Sequence, residues 1–403
     1  MRIGIIGAGI AGSLLAESLA GRPGIDVLAF ERAREGEADA LDTGFGLGPN
    51  ALRALRLYLP ARHAALRAVS LPLRRWTAAL ADGTPLMSLD LEALAEEPGL
   101  RIGWTEFKAQ LRASPAAAVR HGHMLEALET DGSGRPVPVF ARHDGALVRH
   151  GAFDLLIGAD GRYSRLRDLA AGAPPPSRLG VCVWRLQVPA DRDCPLDDVG
   201  EWFNGGNRLL GFRLPGGLAC VTGTFGLPPP ATEESGLPAW LRSAAAQRAL
   251  FVPAGRPACA PVGWMLDALA RHMATLHWGW VRHVPPLRRP GERLLLIGDA
   301  AHAMVPTLGQ GAAQAVEDAL MLGALLAHAD APEAVPARFE LLRRERLEFA
   351  RRLSWDLSGT LLPGAPAAER TRGDPAALRP ALRRLYGGPP EPGMLPNLPA
   401  DAA

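Results

Sequence analysis

The chain has 403 residues, and 44 Lys and Arg against 42 Asp and Glu leave a formal net charge of +2. This near balance argues against a dedicated nucleic-acid binder, and the length predicts more than one structural unit. Lys108 is the single lysine in the sequence. Any mechanism that needs a catalytic lysine therefore has one candidate.

The cysteines and the apolar runs indicate the cellular compartment. Cys182, Cys194, Cys220 and Cys259 have neither C-x-x-C nor metal-ligand spacing, which predicts free thiols in the reducing cytoplasm and no metal site. The N-terminus reads as a strand rather than as a signal peptide. Apolar runs such as residues 214–232 are broken by Gly, Pro and Thr, so no membrane span is expected.

A glycine-rich turn near the N-terminus is the first motif with a chemical meaning. An apolar strand runs into Gly7, Gly9 and Gly12, an apolar helix follows, and a second apolar strand ends at Glu31. In dinucleotide-binding folds these glycines permit a tight turn, the approach of a pyrophosphate, and close helix–strand packing. Glu31 is then placed to accept hydrogen bonds from a ribose. The alternative is a glycine turn of a parallel sheet that binds no nucleotide.

The next part of the chain is predicted to form loops, short strands and short helices. The glycine-punctuated residues 42–50 are predicted to be a loop that leads into a helix over 51–57, and a simple connector without a role is the alternative. Residues 71–100 predict an excursion into a second unit. The expected elements are strands over 76–80 and 86–91, a helix over 106–111, and strands over 116–119, 123–128, 137–141 and 146–148.

The second motif, Asp160-Gly161, follows an apolar run. Residues 155–157 predict a fully buried strand, and the motif opens into a basic helix. Doubly wound sheets place ligand contacts at this end of a strand. The spacing fits an ordinary strand-turn-helix junction equally well.

A β-rich unit is predicted after the second motif. Triple prolines at residues 174–176 and 228–230 mark places where the sequence pattern changes. Residues 177–290 are predicted to form a mostly antiparallel sheet with one or two helices, which covers the nucleotide domain and shapes a pocket. The expected strands cover 181–188, 208–214, 218–225 and 275–281, and the expected helix covers 239–250.

The third motif returns the chain to the first unit. An apolar strand ends in Gly298-Asp299, and a glycine-bearing turn starts a long helix. Asp299 can accept hydrogen bonds from sugar hydroxyls. Free N–H groups at Gly311 and Ala312 would face an anionic atom at the start of the helix.

The three motifs, in this order, resemble those of the flavoprotein aromatic hydroxylases, the group A FAD-dependent monooxygenases of the para-hydroxybenzoate and salicylate hydroxylase type. The resemblance covers about residues 1–360. It implies an α/β fold in which a Rossmann-like FAD-binding domain of the three-layer β/β/α type is interleaved with a mostly antiparallel β-sheet substrate domain. The implied FAD-binding domain comprises residues 1–70, 101–173 and 291–360, the substrate domain 71–100 and 174–290, and a C-terminal tail 361–403.

The resemblance also implies which residues hold FAD. The glycine turn would meet the pyrophosphate, Glu31 the adenosine ribose, and Leu125 the adenine region. The implied residues at this end are Gly7, Gly9, Ala11, Gly12, Glu31, Arg32 and Leu125.

At the flavin end, the resemblance links Asp160-Gly161 to both FAD and NAD(P)H. Asp299 would meet the ribityl and pyrophosphate region, and Pro306 would lie beside the isoalloxazine. The first amides of the long helix would face the pyrimidine carbonyl. The implied residues at this end are Asp160, Gly161, Asp299, Pro306, Gly309, Gly311 and Ala312.

The implied activity is that of a single-component monooxygenase. NADH or NADPH would reduce FAD, dioxygen would add to it, and the flavin C4a-hydroperoxide would hydroxylate a small electron-rich aromatic or N-heteroaromatic ring. The protein would exclude water, position the ring and stabilise developing charge. The sequence has no second complete G-x-G-x-x-G unit, which fits transient NAD(P)H binding in the same cleft. The expected partners are the aromatic substrate and O2, without nucleic acid or membrane, and the expected state is a monomer or homodimer.

Two positions depart from the family pattern. Trp104 stands where many members carry a polar flavin-contacting residue, often Arg. Ala313 stands where Asn commonly follows Gly-Gln-Gly-Ala. Both changes remove polar side-chain contacts and leave backbone contacts, so weaker FAD binding is expected without loss of the site.

Strand alternation indicates a candidate substrate pocket. In a strand over 208–212, Arg208 and Phe212 share one face; if it points inward, Arg208 could pair with a phenolate or carboxylate and Phe212 could stack on a ring. An arginine on the solvent face is the alternative. His302 is expected to be a structural member of its motif, and no catalytic acid or base is assigned. The resemblance adds Pro306, and it adds Trp184 and Arg185 because relatives often carry an aromatic residue before Arg on the first strand of the β-rich unit. The candidate pocket residues are Trp184, Arg185, Arg208, Phe212 and Pro306.

Three other functions fit parts of the sequence. A flavin-dependent halogenase needs a catalytic lysine and a Trp-x-Trp-x-Ile-Pro signature, but the run from Trp278 to Pro285 has the wrong spacing and Lys108 is predicted on a surface helix. A flavin dehydrogenase or reductase would share the FAD motifs. A degenerate flavoprotein that serves as a binding module is supported only by Trp104 and Ala313, and three intact glycine motifs oppose it.

The C-terminal part is predicted to be a long helix followed by a tail. Residues 339–353 predict a long helix whose Glu and Arg pairs form a solvated face. The tail, rich in Pro, Gly and Ala, predicts one short helix over 375–385 and a disordered end.

Overall fold

The computed structural model describes residues 1–37, 43–113, 118–172, 177–227, 239–328, 332–358 and 368–397. Its strands are β1 (Arg2–Ile6), β2 (Asp26–Phe30), β3 (Gly44–Leu47), β4 (Leu71–Leu73), β5 (Arg75–Leu80), β6 (Pro85–Asp90), β7 (Gly99–Gly103), β8 (Val119–Arg120), β9 (His123–Thr130), β10 (Pro136–Arg142), β11 (Leu147–Arg149), β12 (Leu155–Gly158), β13 (Ser177–Pro189), β14 (Val199–Asn204), β15 (Asn207–Leu214), β16 (Leu218–Gly226), β17 (His277–His283) and β18 (Leu294–Leu296). Its α-helices are α1 (Ile10–Leu19), α2 (Pro49–Tyr58), α3 (Pro60–Ala68), α4 (Trp104–Arg112), α5 (Arg165–Ala171), α6 (Ala244–Phe251), α7 (Ala260–Arg271), α8 (Asp299–His302), α9 (Gln310–Ala327), α10 (Val335–Ser358), α11 (Ala368–Arg372) and α12 (Pro375–Tyr386).

A five-stranded parallel sheet forms the middle of the first unit, in the order β18-β12-β1-β2-β8. Its central strands are apolar because both of their faces are buried. On one face, Ile3, Ile5 and Ile157 are fully buried in a core shared with α1 and α9. These helices pack so closely that a Cβ at Gly323 would lie 2.0 Å from Ser18 Oγ.

The antiparallel sheet β11-β10-β9 covers the opposite face of the parallel sheet. Phe30, Phe140, Phe153 and Leu156 are buried between the two sheets. The layers are therefore an antiparallel sheet, a parallel sheet and a helical layer. This architecture confirms the predicted α/β fold.

The second unit is a seven-stranded sheet in the order β17-β13-β16-β15-β14-β5-β6. Its pairs are antiparallel except for the parallel pair β14 and β5. One face packs on α6 and α7, where Leu209, Val262 and Met265 are buried. The other face turns towards the first unit and the C-terminal helices, which leaves it as the wall of a cleft.

The loop predicted over residues 42–50 is wrong for residues 44–47, which form β3. This strand pairs with β7 in the three-stranded sheet β3-β7-β4. Gly44 is needed for close approach and not for a turn, because a Cβ there would lie 2.6 Å from Leu214 Cδ1. The same sheet crosses the predicted domain boundaries at residues 70 and 100, which stay predictions.

The predicted helix over 239–250 is interrupted. A 3-10 turn covers Ala239–Arg242, and α6 then begins after Ser243, whose Oγ accepts a hydrogen bond from Ala246 N. Strand β14 and helix α7 had no counterpart among the predicted elements. Their sequences mix polar, glycine and aromatic residues, which weakens both periodic patterns.

The short helix predicted over 375–385 is confirmed by α12, and the disordered end predicted after it is wrong for residues 392–397, which form a 3-10 turn. Leu378, Leu382 and Leu385 are buried against Trp76 and Leu89 of the seven-stranded sheet. Their spacing of four and three residues is that of an amphipathic helix face.

Some predictions fall outside the described residues. These are both triple-proline runs, residue 42, the first half of the strand predicted over 116–119, and the last six residues. Among the residues that are described, no helix is both long enough and apolar enough to cross a membrane.

Candidate active site

The glycine turn joins β1 to α1. Gly7 has a φ of +95°, and a Cβ there would lie 2.6 Å from the Ala159 carbonyl oxygen. A Cβ at Gly12 would lie 1.9 Å from the Gly7 oxygen, whereas one at Gly9 would meet nothing within 4 Å. The first turn of α1 also lacks a side-chain cap and an acidic residue. The open side of Gly9 and the free N–H groups of the helix thus form a surface suited to a pyrophosphate.

Glu31 follows β2 and turns back towards the same turn. Its carboxylate accepts hydrogen bonds from Ala8 N at 2.9 Å and from Ala33 N at 3.0 Å. Arg32 is exposed, while the Leu125 side chain is buried in the core. Glu31 therefore lies beside the turn. Because the Leu125 side chain is buried, an adenine near this residue would contact the backbone of β9 and not the side chain.

Asp160-Gly161 lies beyond the carboxyl end of β12. Asp160 Oδ2 accepts a hydrogen bond from Leu166 N at 3.2 Å, but its buried Oδ1 has no hydrogen-bond partner among the described residues. Burial raises the pKa of Asp160 above its ordinary value. Gly161 has a φ of +81°, and a Cβ there would meet nothing within 4 Å. A buried acceptor beside open space suits a ligand that donates hydrogen bonds, such as a sugar.

Asp299 opens α8 beyond the carboxyl end of β18. Its Oδ1 lies 3.4 Å from the place that a Cβ at Gly311 would take, so the carboxylate adjoins the start of α9. Helix α9 begins after Gly309, at a φ of +63°, with neither a side-chain cap nor an acidic residue in its first turn. Its first N–H groups, which include those of Gly311 and Ala312, lack intrahelical partners and favour a negatively charged atom.

A buried polar network holds the turn at Gly298. Asp318 Oδ2 accepts a hydrogen bond from Gly298 N at 2.9 Å and lies 2.5 Å from His302 Nε2. Arg343 donates hydrogen bonds of 2.7 Å to both Asp318 and Glu317. The His302 side chain is fully buried. Its geometry is that of a residue that positions the turn, and not of a base that faces a substrate.

The three motifs meet along one edge of the parallel sheet. Strands β1, β12 and β18 are adjacent and parallel, so Gly7, Asp160 and Asp299 follow neighbouring carboxyl ends. The open backbone at Gly9, the unpartnered Oδ1 of Asp160 and the uncapped α9 fit the phosphate, sugar and carbonyl groups of FAD. Within the described ranges, no group of three or more His, Cys, Asp or Glu residues is placed to hold a metal ion.

Trp104, at the start of α4, packs among aromatic rings. Its ring centroid lies 5.7 Å from that of Phe45 and 6.2 Å from that of Phe107, and Lys108 Nζ lies 5.9 Å from the indole centroid. Ala313, the other departure from the family pattern, is fully buried in the core. Neither position offers a polar side chain to a flavin, and Lys108 is held against its own helix.

The prediction that Trp184 lines the pocket is wrong. Its indole is fully buried on the α6 and α7 side, where Nε1 donates a hydrogen bond of 3.0 Å to Gln247 Oε1. The physical reason is the two-residue period of a strand, which sends neighbouring side chains to opposite faces. Arg185 therefore lies on the cleft face, which we define by Arg185, Thr222, Thr224 and Arg208.

Arg185 lines a narrow cavity of about 40 Å³ between the two units. Arg162 and Asp299 of the first unit lie in the same wall, with Arg162 Nη2 3.8 Å from Asp299 Oδ2. Burial lowers the pKa of Arg185, and the neighbouring charge of Arg162 lowers it further. The lining residues are Arg162, Val183, Arg185, Trp280, Val281, Val284, Asp299, Ala303, Met304 and Pro306.

Arg208 is on the cleft face, and the solvent-face alternative is excluded. Its side chain is 3% exposed, and Nη1 donates a hydrogen bond of 2.8 Å to Glu201 Oε1. Phe212 shares this face and is buried in a small cluster with Leu214 and Cys220. Strand parity thus identified the face correctly, but it gave no indication of the acidic partner.

Sequence reasoning missed three buried polar residues around Arg208. Glu201 comes from β14, Thr224 lies directly opposite Arg208 on β16, and Arg372 comes from α11. Arg372 Nε lies 3.3 Å from Glu201 Oε2. A single acid between the glycine and the aromatic residues of β14 is the one signal that could have pointed to Glu201. Arg372, in a segment rich in Pro and Gly, had no such signal.

The chain is similar in sequence and in fold to known FAD-dependent monooxygenases. The family model described as FAD binding domain matches residues 272–355. The chain is 33% identical over 400 residues to a 3-amino-4-hydroxybenzoate 2-monooxygenase of Streptomyces platensis. The alignment covers 94% of this chain and 93% of that protein. It is 29% identical over 395 residues to the salicylate hydroxylase of Pseudomonas putida, covering 88% and 85% of the two chains. The crystal structure of Klebsiella pneumoniae HpxO complexed with FAD and uric acid matches with a TM-score of 0.73 at 23% identity, covering 100% of this chain and 96% of that one, which shows a shared fold.

Proposed function

The chain belongs to the FAD-dependent aromatic monooxygenases, and on that premise we propose that it uses NADH or NADPH and O2 to hydroxylate a small electron-rich aromatic or N-heteroaromatic ring. It is a flavoprotein oxidoreductase whose cofactor is FAD. One observation carries the proposal: Arg162 and Asp299, which follow two adjacent strand ends, line the same cavity as Arg185 and Pro306. The cavity of about 40 Å³ is smaller than an aromatic ring, so a ring bound against this wall would have to move the lining side chains apart, and it would then lie against the residues proposed to bind the flavin.

The residues at the strand ends would hold FAD in an extended form. Bound FAD would supply electron transfer from NAD(P)H and the activation of dioxygen. Gly9 and the start of α1 offer N–H groups to its pyrophosphate, and Glu31 offers a carboxylate to the adenosine ribose. Asp160 and Asp299 would accept hydrogen bonds from hydroxyl groups. The uncapped start of α9 would stabilise negative charge on the pyrimidine edge of the flavin.

The cleft face would bind and activate the aromatic ring. Apolar walls, which include Val183 and Val281, exclude water and strengthen electrostatic interactions inside the cavity. A cation near a phenol favours the phenolate, the more electron-rich form of the ring. Arg185 is placed for this, and Arg208 would pair with a second anionic group. Transient NAD(P)H binding in the same cleft would use the positive charge of Arg162.

The competing functions gain no specific support from the structure. A halogenase needs a lysine at the reacting atoms, but Lys108 lies over the Trp104 ring. A dehydrogenase would need the same FAD contacts, so it can be separated from a hydroxylase only by what happens to oxygen. A degenerate binding module would be expected to lose the open glycines, which this chain keeps at Gly9 and Gly161.

Anaerobic reduction of the FAD-loaded protein tests the proposed function. We expect one of NADH and NADPH to bleach the flavin absorbance, and one class among phenols, anilines and hydroxypyridines to accelerate the bleaching. The acceleration is expected because a bound ring would lie beside the flavin and would change the surroundings in which the nicotinamide reduces it. The control is free FAD at the same concentration with the same nucleotide. Tight FAD binding without reduction by either nucleotide would contradict the proposal and favour an oxidoreductase that depends on a partner.

A further inference from the structure

Glu201, Arg208 and Arg372 form a buried cluster on the cleft face. Their side chains are 1%, 3% and 0% exposed. Glu201 uses one carboxylate oxygen for Arg208, at 2.8 Å, and the other for Arg372, at 3.3 Å. Two elements far apart in sequence thus share one carboxylate, and one of them is the C-terminal segment.

Arg372 is held firmly in this position. Its Nη2 donates a hydrogen bond of 3.0 Å to the Leu357 carbonyl oxygen, and its guanidinium carbon lies 5.5 Å from the Trp76 ring centroid and 5.6 Å from that of Phe203. Such cation–π contacts are stronger when the groups are removed from water. The position of the charge is therefore set by the fold and not by solvent.

The cluster carries a net positive charge. Two guanidiniums, which stay protonated in proteins, face one carboxylate. Burial lowers the pKa of Arg208, Glu201 raises it, and Arg372 lowers it. Among the described residues, no carboxylate other than that of Glu201 lies within 4.0 Å of either guanidinium. A buried charge without a counter-ion is unfavourable, so the cluster favours an anion.

Three polar atoms of the cluster have unused hydrogen-bonding capacity. Arg208 Nε, Arg372 Nη1 and Thr224 Oγ1 are buried and have no hydrogen-bond partner among the described residues. Thr224 pairs directly with Arg208 across β15 and β16, so their side chains are neighbours on one face. Two N–H donors and a hydroxyl match the acceptor oxygens of a carboxylate or phenolate.

We propose that Arg372 is a specificity-determining residue, which keeps the Glu201–Arg208 pair cationic so that the site selects aromatic substrates carrying an anionic group. This inference rests on the proposed function. Without Arg372 the pair would be neutral, since Glu201 alone balances Arg208. The C-terminal segment is then part of the substrate site.

The connection of Arg372 to the flavin side supports this role. Leu357, whose carbonyl accepts its hydrogen bond, precedes Ser358 at the end of α10. The Ser358 hydroxyl is hydrogen-bonded to the Thr307 hydroxyl, and Thr307 follows Pro306 in the turn proposed to lie beside the isoalloxazine. The charge of Arg372 therefore has a fixed place relative to both the sheet and that turn.

Titration of the FAD-loaded full chain with 4-hydroxybenzoate and its neutral analogue 4-hydroxybenzamide, followed by flavin absorbance, tests the inference. The wild-type cluster has a net charge of +1, R372M leaves 0, E201Q leaves +2, and E201Q/R372M restores +1. We expect tighter binding of the anion than of the amide in the wild type, and a loss of about tenfold or more of that preference in R372M. The preference should rise in E201Q and return in the double variant. R383M, which changes an exposed arginine of α12, is the matched control.

The outcomes separate charge selection from a structural role. Equal binding of both probes by the wild type would overturn the inference. So would an equal loss in R372M and E201Q/R372M, because only a packing role predicts it, or loss of the preference in R185M but not in R372M. If R372M does not fold, an unchanged preference in E201Q would overturn the inference. FAD affinity, measured by flavin fluorescence, should be the same in R372M and R383M. Probe binding is measured without turnover. Failure of NAD(P)H to reduce the flavin would therefore contradict the proposed function and leave the inference about Arg372 untouched.

Discussion

G12A is expected to abolish stable FAD binding and to destabilise the folded chain by about 1–3 kcal/mol or more. The added methyl group would lie 1.9 Å from the Gly7 carbonyl oxygen, and backbone atoms cannot yield as a flexible side chain can. Helix α1 would have to move away from β1, which would displace the N–H groups proposed to meet the pyrophosphate. FAD titration by fluorescence and thermal unfolding of the apoprotein measure the two effects.

G9A is the matched control for this change. Its methyl group would meet no protein atom within 4 Å, so the stability of the apoprotein should be unchanged. FAD affinity should still fall, because the methyl group would occupy the open side where the pyrophosphate approaches. Unchanged FAD binding in G9A would contradict the placement of the cofactor at this turn. An apoprotein of wild-type stability in G12A would contradict the packing argument.

R343M is expected to cost about 3–5 kcal/mol of stability, the range found when one partner of a buried ion pair is removed. Arg343 is fully buried between Glu317 and Asp318, and its loss would leave those carboxylates undercompensated. Because Asp318 also holds Gly298 N and His302, the turn that carries Asp299 should loosen and FAD should bind more weakly. Chemical denaturation of the apoprotein measures the first effect. R344M, at an exposed position of the same helix, is the control.

The pH dependence of stability tests the same network. Burial by itself would raise the pKa of Glu317, but the charges of Arg346 and Arg343 lower it from 4.5 to about 2. A carboxyl with a lowered folded-state pKa stabilises the protein above its unfolded-state pKa, and this contribution is lost as the pH falls towards the folded-state value. Wild-type stability should therefore decline between about pH 5 and 2. In R343M the decline should begin at higher pH, and a denaturation profile identical to that of wild type would contradict the assigned ion pairs.

Local constraints made much of the flavin site predictable. Gly7, Gly12 and Gly161 stand where the backbone itself requires glycine, and such requirements are visible in a sequence because no other residue meets them. Asp160 and Asp299 each follow a strand, and they lie close together because their strands β12 and β18 are neighbours in the parallel sheet. Strand alternation likewise placed Arg208 and Phe212 on the same face.

The remaining features depend on contacts between distant parts of the chain. The resemblance assigned both Trp184 and Arg185 to the pocket, but neighbouring residues of a strand lie on opposite faces, so only one of them could line it. Which of the two faces meets the helices is set by packing and not by the strand sequence. The pairing of Glu201 with Arg372 joins residues 171 positions apart in sequence. It exists only once the C-terminal segment has folded back onto β14. Neither composition nor spacing carries this information.

The fate of oxygen tests the central claim, aromatic hydroxylation, most directly. The FAD-loaded protein would be turned over under ¹⁸O-labelled dioxygen with the nucleotide that reduces it and the aromatic compound that accelerates reduction, and the products would be analysed by mass spectrometry. Hydroxylation predicts an aromatic product that carries one labelled oxygen atom, formed in proportion to the NAD(P)H consumed. An aromatic compound recovered without label, while the oxygen is released as hydrogen peroxide, would contradict it.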